Sequence, residues 1–297
     1  MRKVVGRGDM LHLGKVEKVV LCLFLISSLM LTKFPAFASM YINHVTREIN
    51  KRSWLWYARG MDRVAGEHFA VLYPSGQAAA AELVLDAAEH FYPSIAGDFG
   101  SEVKGLTPVV VYGDMTRLNR SFGWPANAGT MGVYWAGTIR VLAPDAWIAE
   151  EDAASVREVF ISSGPMAHEI THLFVDELTR GNCPRWFNEG VAQFEEYCLT
   201  GFKFQEPEFF NPDTAYSLNE LDEFDELSDQ DKAYHQAFSM VYFLVEKYEW
   251  GQVLQVLHGL GRALRFDEAV KNALGLSIDE VDRAWRQYLQ ERNNAGE

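Results

Sequence analysis

A His-Glu-Ile-Thr-His run at 168–172 and an Asn-Glu-Gly run at 188–190 constrain this chain more than any other part of its sequence. Histidines four positions apart lie on one face of a helix, so the first run requires a helix that presents both imidazoles together. Two such histidines and an acidic residue from a following helix form the three-ligand arrangement that holds catalytic zinc. The alternative is a solvated helix with two incidental histidines, and the second run disfavours it.

A helical projection divides the residues of the first motif between two faces. At about 100° per residue, His172, Asp176 and Glu169 fall within about 100° of His168. The opposite side of the projection is apolar except for Glu177, near the helix end, and carries Met166, Ile170, Leu173 and Phe174. The pattern predicts an amphipathic helix whose apolar face packs on the core and whose other face presents histidines and carboxylates to a cleft.

The first 38 residues have the pattern of a signal peptide. Basic residues precede an apolar run at 19–31, and Ala36 and Ala38 fit a cleavage site with small residues. The apolar run is shorter than the roughly 20 residues that a spanning helix needs. We therefore predict an extracytoplasmic protein, which is secreted, periplasmic or cell-surface. The alternative is a protein anchored in the membrane by an uncleaved N-terminal segment, which would be its only membrane contact.

Charge and cysteine content exclude some classes of protein. The formal net charge is −14, and removal of residues 1–38 would make it more negative, because that segment has more basic than acidic residues. Nucleic-acid binding requires a basic surface, so no nucleic-acid partner is expected. Cys183 and Cys198 would lie too far apart on or near one helix to form a disulfide, and we predict two small buried residues.

Hydrophobic periodicity predicts an α+β fold in two parts. Strands and helices alternate up to about residue 150 and include a hairpin at 132–135 and 138–142, whereas the later part is mainly helical. The predicted division is a signal peptide at 1–38, an N-terminal helical segment at 39–65, a mixed α/β subdomain at 66–150 and a helical zinc-binding subdomain at 151–297. The metal cleft would lie between the last two. The acidic stretch 220–231 is predicted to be a solvated linker, with a weak cation site as the alternative.

Several motifs resemble those of the gluzincin metallopeptidases, in particular the small peptidase MA-like proteins. The similarity spans residues 66–291 and is strongest at 164–198. It is carried by the His-Glu-x-x-His run, by Pro-Arg-Trp-Phe-Asn-Glu-Gly-Val-Ala at 184–192, by Ala-Tyr-His-Gln at 233–236 and by Gly-Leu-Ser-Ile-Asp-Glu at 275–280 with Trp285 and Leu289.

The resemblance implies a zincin-like fold with one zinc ion bound by His168, His172 and Glu189, and with Glu169 as general base. It also implies an edge strand, expected at 138–142, that pairs with an extended peptide. Two family features are missing. The Gly-x-Met-Glu-Asn motif of the aminopeptidases does not occur, and the third histidine of the metzincins is replaced.

Other roles follow from the chemistry that such a site needs. Tyr234 is the first candidate for donating a hydrogen bond to the developing oxyanion, followed by His235 and Tyr242. Asp176 is a candidate acceptor for the second N–H of a metal-binding imidazole, with a surface contact near the helix end as the equal alternative. Gln193 lies one turn after Glu189, where related enzymes often have an acid.

The sequence therefore predicts an exported zinc metallopeptidase, most simply an endopeptidase, that hydrolyses peptide bonds of a peptide or protein substrate with water activated by Glu169. The alternative is a catalytically inert, zinc-containing protein outside the cytoplasm that binds peptides or other proteins. Retention of Glu169 counts against the alternative, because a purely structural zinc site needs no general base.

Overall fold

The computed structural model describes residues 35–57, 59–126, 129–150 and 152–295. The predicted signal peptide lies outside these residues except for its last four positions. The described residues form five strands, at Asp62–Ala65 (β1), Phe69–Tyr73 (β2), Thr107–Tyr112 (β3), Gly132–Trp135 (β4) and Thr138–Leu142 (β5). The helices of the first part are Pro35–Tyr57 (α1), Ala78–Phe99 (α2) and Met115–Arg120 (α3).

The second part of the described chain is helical, and the α+β fold class is confirmed. Its α-helices are Ala153–Ser163 (α4), Met166–Thr179 (α5), Arg185–Thr200 (α6), Leu218–Leu221 (α7), Gln230–Tyr248 (α8), Trp250–Leu260 (α9), Phe266–Leu274 (α10) and Ile278–Ala295 (α11). None of the helices in the described ranges combines the length and the apolar character needed to cross a bilayer.

The strands form one mixed sheet in the order β1-β2-β3-β5-β4. The central strands β2, β3 and β5 are parallel, and an antiparallel strand closes each side. Val109 and Val111 of β3 are buried in the main core, which also contains the inner face of α2. Val110 points to the other face of the sheet and packs with Leu72 and Trp54, so α1 covers that face.

The structure changes which strand forms the edge beside the helical part. We expected 138–142 to be the edge strand, but β5 is internal, between β3 and β4, and β4 forms the edge. Ala136 and Gly137 connect the two strands with φ values of 46° and 79°. Positive φ at both central residues is the hairpin geometry that matches the right-handed twist of a sheet, and it brings β4 back along β5 toward α5.

Close packing of α6 on α8 depends on the last residue of the Asn-Glu-Gly run. A Cβ atom at Gly190 would lie 2.4 Å from the carbonyl oxygen of Ala237 and 2.7 Å from Cγ2 of Val241. Those distances are too short for any side chain, so glycine allows the two helix backbones to meet. The motif thus has a packing role in addition to the carboxylate that precedes the glycine.

Three local expectations were wrong. The N-terminal helical segment was predicted at 39–65, but α1 ends at Tyr57 and Asp62–Ala65 pairs with β2. The acidic stretch 220–231 was predicted as a solvated linker, yet Leu221 and Phe224 are fully buried and anchor it. Both cysteines are free, as expected, but Cys198 is exposed instead of buried, because it lies on the outer side of α6.

A buried carboxyl group on α6 makes stability depend on pH. Glu195 is 2% exposed. Burial and the neighbouring carboxylate of Asp98 raise its pKa to about 8. The folded state therefore holds a proton that the unfolded chain releases near its ordinary pKa of about 4.3. The stability that this proton contributes is fully present below the pKa of Glu195 in the unfolded chain, and it is lost as the pH rises through the pKa of Glu195 in the folded state.

We expect Glu195→Gln to raise the free energy of unfolding at pH 9 by on the order of 2 kcal/mol, because an amide does not ionise. At pH 5 the two proteins should unfold at similar urea concentrations. The measurement is urea unfolding at both pH values in the presence of a chelator, with Glu67→Gln, which changes an exposed carboxylate, as the control. A gain that is equal at both pH values would contradict the assigned cause.

Candidate metal centre

Helices α5 and α6 bring three donor atoms together. The Nε2 atoms of His168 and His172 are 3.0 Å apart, and they lie 3.4 Å and 3.5 Å from Oε2 of Glu189. Ligands bound tetrahedrally at about 2.0–2.1 Å are separated by about 3.3–3.4 Å. The three residues are the group in the described part of the chain whose donor atoms could jointly hold a metal ion. Two imidazoles and one carboxylate fit a divalent transition metal and leave a fourth position open.

Each imidazole is oriented by a second contact. Nδ1 of His172 lies 2.9 Å from Oδ1 of Asn188, and Nδ1 of His168 lies 3.2 Å from Oε2 of Glu196. These contacts leave both Nε2 atoms directed at the shared position, as in other sites where a supporting acceptor fixes the ring. Glu196 was not anticipated, although its spacing of seven residues from Glu189 puts both on one face of α6.

Asp176 has neither of the two roles considered for it, which were an acceptor for an imidazole N–H and a surface contact near the helix end. It is 7% exposed and contacts Arg47 and Asn43 of α1 and the hydroxyl of Tyr134. Gln193, the other residue singled out beyond the metal ligands, donates from Nε2 to the carbonyl oxygens of Tyr234 and Glu189 at 3.0 Å and 3.3 Å. It therefore connects α6 with α8, beside the three donor atoms.

Glu169 lies between the metal-ligand face of α5 and the edge strand. It is 5% exposed, and its Oε2 accepts a hydrogen bond from the backbone N–H of Tyr134 in β4. The strand approaches closely because residue 132 is glycine: a Cβ there would lie 2.6 Å from Cβ of Pro165 and 2.9 Å from Cγ of Glu169. The close approach at Gly132 was not predicted from the sequence, because Glu169 is 37 residues away along the chain.

The opening of the site is a cavity of about 560 Å³. His168, Glu169, Tyr234 and His235 line it. Its other walls come from the segment before and within β4, from the start of α5, from the turn after α6 and from α8. They include Met131, Gly132, Phe202, Phe204 and Phe238. Tyr242 is not among the lining residues, and its hydroxyl donates to Glu208 at 3.2 Å.

The charges at the site depend on each other. Burial by itself would raise the pKa of Glu189, but His172, His168 and Arg185 hold it well below its ordinary value. Burial would lower the pKa of His168, but the carboxylates of Glu189 and Glu196 raise it well above its ordinary value. The site thus attracts a positive charge, and metal binding would release the imidazole proton.

Arg185 connects the third donor residue with the predicted oxyanion donor. Its Nη2 lies 3.0 Å from Oε1 of Glu189, and its side chain also hydrogen-bonds to that of Tyr234. Burial and the negative charge of Glu189 raise the pKa of Tyr234 to about 12. The tyrosine therefore stays protonated near neutral pH and remains a hydrogen-bond donor. The first turn of α6 gave no sign of this role in the sequence, apart from the i,i+4 spacing of Arg185 and Glu189.

A mixed sheet whose edge strand lies beside a helix with two histidines, followed by a helix with a glutamate, defines a zincin-like fold. Residues 96–291 match the sequence model of the peptidase MA superfamily. The chain belongs to this superfamily, whose members are typically metal-dependent. The matched region includes His168, His172, Glu189 and Tyr234, whereas α1 and the first two strands precede it. A comparison with curated proteins finds no match.

Proposed function

We propose that this chain is an exported zinc metallopeptidase of the gluzincin type that hydrolyses internal peptide bonds. The observation that carries the proposal is the convergence of three donor atoms within 3.0–3.5 Å of one another, with a fourth buried residue, Glu169, beside them and not among them. Two histidines and a glutamate are the ligand set of catalytic zinc in other metallopeptidases. The signal-peptide pattern at 1–38 supports export.

Glu169 acts as the proton carrier in the proposed reaction. When bound, a zinc ion would polarise the substrate carbonyl and lower the pKa of a coordinated water. The Glu169 carboxylate accepts the proton of the attacking water and donates it to the amine nitrogen as the peptide bond breaks. Burial raises the pKa of Glu169, and the two histidines partly oppose that shift. A raised pKa suits a group that must both accept and release a proton near neutral pH.

Tyr234 is the proposed hydrogen-bond donor to the developing oxyanion. It lines the same cavity as Glu169, and its contact with Arg185 keeps its ring near Glu189. A donor held in place before the reaction stabilises negative charge without having to reorient. His235 is the weaker candidate, because its Nε2 lies 2.8 Å from the carbonyl oxygen of Glu206.

The exposed side of β4 is the proposed binding place for an extended substrate. Leu142 donates its N–H to the carbonyl of Met131. This bond determines which residues of β4 direct their main-chain N–H and C=O groups toward β5, because the direction alternates from residue to residue along an antiparallel pair. The main-chain groups of Gly132 and Tyr134 then point away from β5, toward the cavity. A peptide added as a further strand would hydrogen-bond at Gly132, next to Glu169.

The function is tested by cleavage of a random peptide library with zinc-loaded protein. We expect new amino termini at internal positions, loss of cleavage after treatment with a chelator, and recovery when zinc is added back. Peptide capture without cleavage would instead support the inert peptide-binding alternative. Release of single terminal residues alone would retain the peptidase but overturn the endopeptidase assignment.

A further inference from the structure

Helix α1 contacts the hairpin that ends in the edge strand, although it lies outside the matched superfamily region. Nδ2 of Asn50 is 3.0 Å from the carbonyl oxygen of Ala136, 3.0 Å from Oγ1 of Thr138 and 3.3 Å from the carbonyl oxygen of Trp135. Asn50 is 8% exposed. A single buried amide therefore fixes the tight turn between β4 and β5.

The same helix also holds the end of α5. Nε of Arg47 lies 3.4 Å from Oδ2 of Asp176, and its Nη2 lies 2.5 Å from Oε2 of Glu177. Nδ2 of Asn43 is 3.2 Å from Oδ1 of Asp176. Arg47 and Asp176 are both nearly buried. A buried ion pair constrains geometry strongly, because removing one partner leaves the other charge without compensation.

Tyr134 joins these contacts to the candidate general base. Its hydroxyl contacts Asp176 and accepts a 3.0 Å hydrogen bond from the N–H of Gly137, while its backbone N–H donates to Glu169. One residue of β4 is thus fixed at its ring by α5 and the turn, and contacts the carboxylate of Glu169 with its backbone. The path from α1 to Glu169 runs through Arg47, Asp176 and Tyr134.

We propose that Tyr134 is a positioning residue for Glu169 and that α1 is a brace that acts on it through Asp176. This inference rests on the proposed function, because it assigns α1 a part in the same reaction. An edge strand of four residues is paired on one side only. Without the brace, β4 would move relative to α5, and an error of about 1 Å in a reacting group can cost about 100-fold in rate.

Arg47→Ala, Tyr134→Phe and the double variant test the brace, with Arg52→Ala as the matched control. Arg52 lies on the same helix, and its side chain is 82% exposed. We expect each single variant to lower kcat by about 10-fold to 100-fold, and the kcat of the double variant to be little lower than that of either single variant. Zinc affinity should stay within about 3-fold of the unmodified protein. That change is well below the 10–100-fold loss typical when a supporting partner of a metal ligand is removed. Arg52→Ala should match the unmodified protein.

Hydrogen exchange separates this inference from the proposed function. The backbone amides of residues 132–138 should exchange faster in Arg47→Ala and Tyr134→Phe than in Arg52→Ala, whether or not any peptide is cleaved. Absence of cleavage by the unmodified protein would reject the function and leave the brace to be decided by exchange. Equal exchange in all variants, or kcat losses that multiply in the double variant, would overturn the brace. Tyr134→Phe removes a single oxygen, so it remains a test if Arg47→Ala does not fold.

Discussion

Glu169→Gln is expected to lower kcat for peptide cleavage by about 10²–10⁴-fold, the usual contribution of a general acid–base group. Glutamine has nearly the same shape as glutamate, and its amide oxygen can still accept the hydrogen bond from the N–H of Tyr134. The amide cannot accept a proton from water at neutral pH, so the proton transfer is lost while the geometry of the site remains. Zinc content should stay at one ion per chain.

The measurement is kcat on a peptide selected from the library, together with zinc stoichiometry for each protein. Asp231→Asn is the matched control, because Asp231 also lines the cavity but is exposed and contacts none of the three donor residues. It should change kcat by less than about 3-fold, since screened surface charges contribute little. Equal rates for Glu169→Gln and the unmodified protein would remove Glu169 from the mechanism and leave the peptide-binding alternative.

Glu189→Gln is expected to weaken zinc binding by more than about 100-fold, which exceeds the 10–100-fold typical when only a supporting partner of a ligand is lost. Glu189 is 2% exposed, and its charge faces both imidazoles and Arg185. A neutral amide is a weaker ligand, and it leaves Arg185 without its buried counter-charge. Cleavage should fall with the zinc content and recover only in part at high zinc concentration.

Competition with a chromophoric chelator measures this loss, and Glu196→Gln provides the comparison on the same helix. Glu196 contacts Nδ1 of His168 and not the metal position, so its replacement should weaken zinc binding by about 10–100-fold. The order of the two variants is decisive. If Glu196→Gln loses more zinc affinity than Glu189→Gln, the third ligand is not Glu189.

The sequence predicted the helices and the three donor residues because their signals are local or repeated. Both strands of the hairpin have the predicted bounds. The histidines and Glu189 converge because helical spacing alone puts the two rings on one face, and the glycine after Glu189 lets α6 pack deeply. Metal binding by these three residues and the catalytic roles of Glu169 and Tyr234 stay predictions.

The features that were missed depend on contacts between residues far apart in sequence. The order of the strands determines which strand lies at the edge of the sheet. Nothing in the residues at 138–142 indicates that β4 would pair with β5 on its outer side and so become the edge strand. Asp176 lies on the expected face of α5, but α1 supplies Arg47 from 129 positions earlier, so its partner is a guanidinium and not an imidazole. The short strand β1 has little apolar alternation, and its pairing with β2 determines its conformation.

Gly190 has a wider consequence for how this site can diversify. It lies next to Glu189 on α6 and against the carbonyl of Ala237 on α8, the helix that also carries Tyr234. The separation of the Glu189 and Tyr234 side chains therefore depends on direct contact between the main chains of α6 and α8. We expect substitutions of wall residues such as Phe202 and Phe204 to leave that separation unchanged. In the proposed peptidase, wall substitutions would then change the substrate preference while Glu189 and Tyr234 keep their positions.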